Sequence, residues 1–198
     1  MAKGPGYRVP YRRRREFKTD YRKRRILATS SEPRFVVRIT NKNMIIQITR
    51  SEVEGDWTMI QTHSKELVEK FGWRGDPNNT SAAYLLGMIA GFKALKMGIE
   101  ASIPDIGLRT PSRGSRVFAA IKGARDAGLK VPLDEEMAPG EDRITGRHVA
   151  SYGSLLKERP EAYQAIFSKY LERGLRPEDL AEHFEEVKNR IVEALGVG

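Results

Sequence analysis

Nine lysines and arginines lie between residues 11 and 25 of this chain, in the stretch YRRRREFKTDYRKRR. They form two blocks ten residues apart, and Tyr11 and Tyr21 each precede one block. Only Glu16 and Asp20 supply negative charge there. Guanidinium and ammonium groups bind phosphates, and binding to a polyanion is driven by counterion release. Aromatic rings between the cations can stack on unpaired bases. The pattern therefore predicts a nucleic-acid-binding segment and favours RNA or single strands over regular duplex.

The charge of the chain is distributed unevenly. Its net charge is +9 over 198 residues. Residues 1–34 hold twelve Lys and Arg against three acids, whereas residues 131–198 hold nine against fourteen. A basic arm beside a mildly acidic C-terminal part is typical of a protein whose arm binds a polyanion. A solvated targeting or solubility tail is the alternative interpretation of this arm.

Two further segments carry cations beside turn residues. In residues 110–116 (TPSRGSR), Arg113 and Arg116 lie at the predicted start of a helix, where free N–H groups favour an anion. An ordinary capped turn explains this segment equally well. Residues 73–80 (WRGDPNNT) form a polar loop. Either Arg74 and its neighbours contact RNA, or Trp73 covers the edge of the core.

Residues suited to catalysis or metal binding lack the required spacing. The three histidines are scattered and share no ligand pattern. There is no cysteine, which excludes disulfides, zinc fingers and thiol catalysis. Asp105 is the one acid predicted on the strands, and a two-metal nuclease needs clustered carboxylates. No apolar run reaches the roughly 18 residues of a membrane span. The sequence therefore predicts no enzyme, no cofactor, no metal site and no membrane partner.

Hydrophobic periodicity predicts the elements that position these residues. Alternating apolar residues indicate three antiparallel strands at 34–40, 44–49 and 57–62. Helical periods follow at 64–71 (with Ser64 as its cap), 81–97 and 116–127. A strand is predicted at 100–108, and Pro104 places it at an edge of the sheet. The order β-β-β-α-β-α predicts an α/β domain with a mixed sheet in two or three layers.

The two ends of the chain differ from this central part. Residues 1–18 are rich in Gly, Pro and charge and are expected to be disordered on their own. A short helix is predicted from Thr19, its N-cap, to about Ala28, so the arm reads as an extended basic strand followed by a basic helix. An acidic loop is predicted at 134–146, followed by helices that start at Pro160 and Pro177. The predicted division is an arm at 1–33, an α/β domain at 34–133 and a loop with a helical extension at 134–198.

Several stretches together resemble one protein family. They are RRRREFKTDYRKRR at 12–25, VRITNKNMIIQI at 37–48, EGDW at 54–57, NNTSAAYLLG at 78–87, IPDIGL at 103–108 and GSRVFAAIKGARDAGLKVP at 114–132. In this order they are similar to the universal large-subunit ribosomal protein eighteen family, in its archaeal and eukaryotic branch.

The resemblance implies a non-enzymatic constituent of the large subunit of the cytoplasmic ribosome. It implies binding to 5S rRNA and attachment of that RNA to 23S rRNA in the central protuberance, beside neighbouring large-subunit proteins. The resemblance implies that the extension from Arg147 onward contacts 23S rRNA or neighbouring proteins. Its net negative charge favours a protein neighbour, or docking on the chain's own domain, over direct phosphate contact. An RNA-processing nuclease of related α/β layout and a DNA-architectural protein are the alternatives. The rRNA-binding residues implied by arm and resemblance are Tyr11, Arg12, Arg13, Arg14, Arg15, Lys18, Tyr21, Arg22, Lys23, Arg24, Arg25, Arg38, Asn41, Lys42, Arg74, Asn78, Asn79, Arg113 and Arg116.

Overall fold

A four-stranded mixed sheet lies at the centre of the computed structural model, which describes residues 4–196. The strands are β1 (Arg34–Ile39), β2 (Met44–Ser51), β3 (Asp56–His63) and β4 (Ile103–Asp105). Their spatial order is β3-β2-β1-β4. The first three strands form the predicted antiparallel meander, and β4 runs parallel to β1. The predicted α/β class with a mixed sheet is confirmed, and β4, which contains Pro104, lies at an edge.

One face of the sheet forms the core because the apolar residues of the strands alternate in phase. Phe35 pairs with Ile48 and Val37 with Ile46, and all four are fully buried. The intervening residues of β1 include Arg34 and Arg38 and point to the other face. The sheet therefore has one apolar face under helices and one face that carries charge.

Nine α-helices accompany the sheet within residues 4–196. Two lie in the arm and three follow the meander, while four belong to the C-terminal extension. In chain order they are α1 (Arg12–Arg15), α2 (Tyr21–Ala28), α3 (Ser64–Phe71), α4 (Thr80–Lys96), α5 (Arg116–Asp126), α6 (Glu141–Thr145), α7 (Arg147–Leu156), α8 (Pro160–Glu172) and α9 (Leu180–Leu195). None of these helices is long and apolar enough to cross a membrane.

Several local predictions were wrong. Asp20, not Thr19, caps α2, since its carboxylate accepts hydrogen bonds from the backbone N–H groups of Arg22 and Lys23. His63, not Ser64, caps α3. The first basic block is a short helix, α1, rather than an extended strand. The acidic stretch 134–146 contains α6 as well as loop, and α7 was not predicted.

Helices α4 and α5 touch backbone to backbone beneath the sheet. A Cβ added to Gly87 would lie 1.9 Å from the carbonyl oxygen of Ala120. A Cβ added to Gly123 would lie 2.0 Å from the carbonyl oxygen of Tyr84. The absence of a side chain at these two positions allows the close approach. This packing fixes where the N-terminus of α5 meets the rest of the molecule.

The last helix, α9, contributes buried residues to the same core. Its residues Phe184 and Val187 are buried in the same cluster as the strands. His183 stacks on the buried Trp73 with ring centroids 5.3 Å apart, and its Nε2 accepts the backbone N–H of Arg74 at 3.0 Å. Burial holds the pKa of His183 below its ordinary value. Trp73 therefore covers the core, which was one of its two predicted roles.

Candidate nucleic-acid interface

Five charged side chains join the arm to the outer face of the sheet, and we name them the charge ladder: Arg24, Asp56, Arg34, Asp105 and Arg38. Arg24 of α2 contacts Asp56 at 2.9 Å, and Asp56 lies 2.7 Å from Arg34. Asp105 lies 3.2 Å from Arg34 and 2.8 Å from Arg38. The ladder fixes the position of α2 over the sheet and pairs each of its two carboxylates with two arginines.

The charge ladder also sets the protonation of its outer carboxylate. Burial alone would raise the pKa of Asp56, but its contacts with Arg24 and Arg34 outweigh burial and hold that pKa below its ordinary value. A depressed carboxyl pKa stabilises the fold at neutral pH, and this contribution is lost as the pH falls through that pKa. Asp56 therefore remains ionised and keeps α2 attached under neutral conditions.

Substitution of Asp105 is expected to destabilise the fold. The side chains of Arg34 and Asp105 are only 4% and 8% exposed, so Asp105→Asn leaves a buried guanidinium short of one counter-charge. Removing one partner of a buried pair costs several kcal/mol, and we expect a loss of about 3 kcal/mol in the free energy of unfolding. Urea denaturation followed by circular dichroism measures this loss.

The matched control is Glu136→Gln. Glu136 pairs with Arg113, and both side chains are more than two-thirds exposed. An exposed pair contributes about 1 kcal/mol or less. Equal stability of the Asp105→Asn and Glu136→Gln variants would contradict the role assigned to the ladder.

A cleft of about 720 Å³ lies between α2 and the edge of the sheet formed by β1 and β4, and we name it the arm cleft. Its two acids are occupied, Asp20 by capping α2 and Asp105 by the ladder. Apolar residues also line it, among them Pro104 and the exposed Ile26 and Leu108. Six cations line it: Arg13, Lys18, Lys23, Arg24, Arg38 and Arg109. Apolar residues beside cations suit an RNA strand, whose bases and phosphates need both.

The cations of the arm fall into paired and unpaired groups. Arg12 and Lys18 contact Glu16 at 3.9 and 2.9 Å, and Arg13 donates to the hydroxyl of Thr19. Five others between residues 11 and 25 are exposed and make no side-chain hydrogen bond or ion pair within residues 4–196: Arg14, Arg15, Arg22, Lys23 and Arg25. These five charges are available to an external polyanion.

The aromatic side chains of the arm lie among these cations. Tyr11 and Tyr21 contact each other with ring centroids 5.0 Å apart, which brings the two basic blocks together. Phe17 is 86% exposed and has a left-handed backbone at φ 51°. An exposed ring among cations is a stacking surface for a base.

Two of the three predicted asparagines make hydrogen bonds that hold the fold. Asn78 is buried, and its Nδ2 donates to the carbonyl oxygens of Thr40 and Asn41, each at 2.9 Å. Asn79 caps α4 by accepting the N–H of Ala82 at 2.7 Å. The Asn78 side chain fastens the β1–β2 turn to the start of α4, and the side chains of Asn41 and Lys42 in that turn are exposed.

Two further predicted arginines lie at the α5 N-terminus. Arg116 donates to the carbonyl oxygen of Asn78 at 2.6 Å, and Arg113 pairs with Glu136. Arg74 is exposed in its loop. Sequence reasoning missed Arg34, although its place at the start of an alternating strand is the signal that puts it on the charged face. No three His, Asp or Glu side chains between residues 4 and 196 are grouped to hold a metal ion.

Comparison with known proteins gives consistent matches. A family model described as "Ribosomal large subunit proteins 60S L5, and 50S L18" matches residues 6–104. A protein of Staphylothermus marinus named large ribosomal subunit protein uL18 is 56% identical over 194 residues, covering 98% of this chain and 96% of the relative. Proteins with the same name from Ignicoccus hospitalis and Aeropyrum pernix are 54% and 51% identical. Each alignment covers 98% of this chain, with 95% and 91% of the respective relative. The similarity therefore continues beyond residue 104 into the C-terminal helices.

Proposed function

The chain belongs to the family of large-subunit ribosomal proteins that includes 50S L18 and 60S L5, and on this basis we propose that it binds 5S rRNA. We further propose that it helps to attach 5S rRNA to 23S rRNA in the central protuberance. As a member of this family the chain is a structural, RNA-binding component of the large ribosomal subunit. Its partners are rRNA and other ribosomal proteins. What is proposed here is which rRNA the arm contacts.

The observation that carries this proposal is that five unpaired cations lie on α1 and α2, and that α2 is attached to the sheet. The charge ladder attaches α2 to the sheet through Arg24 and leaves Arg22, Lys23 and Arg25 exposed and unpaired. Consecutive residues of a helix are about 100° apart, so these charges cover much of the helix surface. Phosphates of a folded RNA that meets α2 from several directions satisfy such a distribution.

The proposed contacts form two groups. The arm provides the principal one, with residues 1–33 acting as an RNA-binding segment of the α/β domain at 34–133. Asn41, Lys42, Arg74 and Arg113 provide secondary contacts from exposed turns. The amides of Asn78 and Asn79 and the guanidinium of Arg38 position neighbouring backbone, so their effect on RNA binding is indirect.

Competition binding tests the proposed function. With labelled 5S rRNA bound to the whole protein, unlabelled 5S rRNA is expected to compete at least about 100-fold better than duplex DNA of equal length, because specific sites exceed non-specific ones by several orders of magnitude. Equal competition by duplex DNA would favour a DNA-architectural protein instead.

The same complex tests the alternative that the protein is an RNA-processing nuclease. After incubation with Mg²⁺ or Mn²⁺, the 5S rRNA is expected to remain intact, since the Asp105 carboxylate is held by two arginines and the N–H of Gly107. Cleavage that Asp105→Asn abolishes would support the nuclease and contradict a purely structural role.

A further inference from the structure

A second groove, of about 730 Å³, lies between the N-terminus of α5 and the C-terminal extension. We name it the extension groove. Arg109 and Arg116 line it from the α/β domain. Arg143 of α6 and His148 of α7 line it from the extension. The groove therefore exists only because the extension folds back on the domain.

The walls of the extension groove carry unbalanced positive charge. No Asp or Glu side chain lines it. Arg109 donates to the carbonyl oxygen of Ile39 at 2.7 Å, and Arg116 donates to that of Asn78. Arg143 is exposed and makes no side-chain hydrogen bond or ion pair with the described part of the chain. Three guanidinium groups thus face one cavity without a carboxylate to neutralise them.

Polar groups around the same cavity suit the binding of a chain of phosphate groups. The side chains of Thr110 and Ser112 line it and offer hydroxyl donors. The helices α4 and α5 both begin at its wall, and the side chain of Ser115 makes no capping hydrogen bond to α5. The positive end of the α5 dipole adds to the potential set by the arginines.

The extension groove adjoins the arm cleft. Ile39 and Arg109 line both cavities, so these two residues lie where the cavities meet. Cations therefore line two adjoining cavities along a path from α2, past Arg109, to Arg143. A nucleic-acid backbone, which carries one negative charge at every nucleotide, fits a path of this kind better than a compact anion does.

We propose that the extension groove binds the phosphodiester backbone of rRNA, with Arg143 and His148 closing it from the extension. This inference rests on the proposed function and extends it. It also revises the expectation that the acidic extension favours a protein neighbour or a self-docked role over direct phosphate contact, because none of the acids of residues 131–198 lines the groove. The RNA strand is either 5S rRNA or 23S rRNA, which share this backbone chemistry.

A matched pair of double variants tests the groove. Arg109→Gln with Arg143→Gln removes two charges from its wall. Arg147→Gln with Lys157→Gln removes two exposed charges of the extension that face elsewhere and pair with Asp142 and Glu178. Affinity for 5S rRNA, and for 5S rRNA together with 23S rRNA, is measured between 50 and 200 mM salt. The groove variant is expected to bind about tenfold more weakly to at least one of these targets, and its salt slope is expected to fall by about two.

Each outcome of this test has a distinct meaning. If the groove variant has wild-type salt slopes and affinities for both RNA targets, the proposal that the groove binds RNA is overturned. The proposed function would remain intact. Failure of the wild-type protein to bind 5S rRNA would instead contradict the proposed function. Arg143→Gln alone removes no hydrogen bond of the fold, so it gives about half the slope change even if the Arg109 substitution lowers stability.

Directed cleavage locates the RNA strand. The chain has no cysteine, so Ser112→Cys places a single thiol in the groove to carry an iron chelate that cleaves nearby RNA. Ser168→Cys on the exposed side of α8 is the control. Cleavage of 5S or of 23S rRNA from Ser112→Cys, at nucleotides that the control does not cut, identifies the bound strand. Absence of such cleavage in both RNAs would overturn the proposal.

Discussion

Replacement of the five unpaired arm cations by Gln is expected to weaken binding to 5S rRNA at least about 100-fold and to flatten its salt dependence. The residues are Arg14, Arg15, Arg22, Lys23 and Arg25. Each phosphate contact contributes about 0.7 to 0.9 to the slope of log K against log salt. Loss of five contacts therefore lowers the slope by about four. Filter binding or fluorescence anisotropy between 50 and 200 mM salt measures both quantities.

The control for this prediction keeps the change in net charge and alters its position. Five exposed lysines outside the arm are replaced by Gln: Lys65, Lys96, Lys130, Lys157 and Lys169. This variant is expected to lower the slope by less than about one, because non-contacting charges act only through the screened long-range field. Equal slopes for the two variants would show that net charge, and not the arm, governs binding.

Deletion of residues 1–25 is expected to reduce the salt slope in the same direction, although it is a less specific change. The deletion also removes Arg24, which holds Asp56 in the charge ladder. Asp56 would then pair with Arg34 and no longer with Arg24, so the charged face of the sheet changes along with the arm. The five substitutions leave Arg24 and the ladder in place and thus isolate the unpaired charges.

Gly87→Ala is expected to lower the free energy of unfolding by more than about 3 kcal/mol, the largest single-residue effect on stability expected for this fold. The new methyl group would lie 1.9 Å from the carbonyl oxygen of Ala120, which is backbone and moves only if α5 shifts away from α4. Overpacking of a core costs about 1–3 kcal/mol, and contact with rigid backbone falls at or above the top of that range. Urea denaturation measures the change.

Gly140→Ala is the control for the glycine prediction. Gly140 has no atom within 4 Å of an added Cβ, and its φ of −62° is open to any residue. A change within about 0.5 kcal/mol is expected there. Gly123→Ala, opposite Tyr84, is expected to behave like Gly87→Ala. If all three variants unfold at the same urea concentration, the close approach of α4 and α5 is wrong.

The sheet could be predicted because its signals are local. Alternation of apolar residues fixed which face of β1 and β2 is buried, and Pro104 indicated an edge strand because it cannot donate to a neighbour. Helix starts were displaced by one residue where two adjacent side chains can both cap, as with Thr19 and Asp20. The helix α7 was missed because residues 147–156 have weak intrinsic propensity. There Gly153 packs against Pro177, a contact that sequence periodicity does not reveal.

The candidate site was predictable in location more than in detail. Counting charges identified the arm, but it did not show that Arg24 is paired, because the partner of Arg24 is remote in sequence. Arg24 meets Asp56 32 residues away, and Arg34 meets Asp105 71 residues away. The same reason hid the structural role of Asn78, whose partners Thr40 and Asn41 lie 38 and 37 residues away. Arg143 and His148 carried no local signal and became part of a basic groove only through the docking of the extension.

The RNA that accompanies the native protein tests the central claim most directly. The protein is recovered from its own cells in salt low enough to preserve phosphate contacts, and its bound RNA is sequenced. The account predicts strong enrichment of 5S rRNA over its share of total RNA, and loss of that enrichment when the five unpaired arm cations are replaced. Recovery without 5S rRNA, or enrichment unchanged by those replacements, would contradict it.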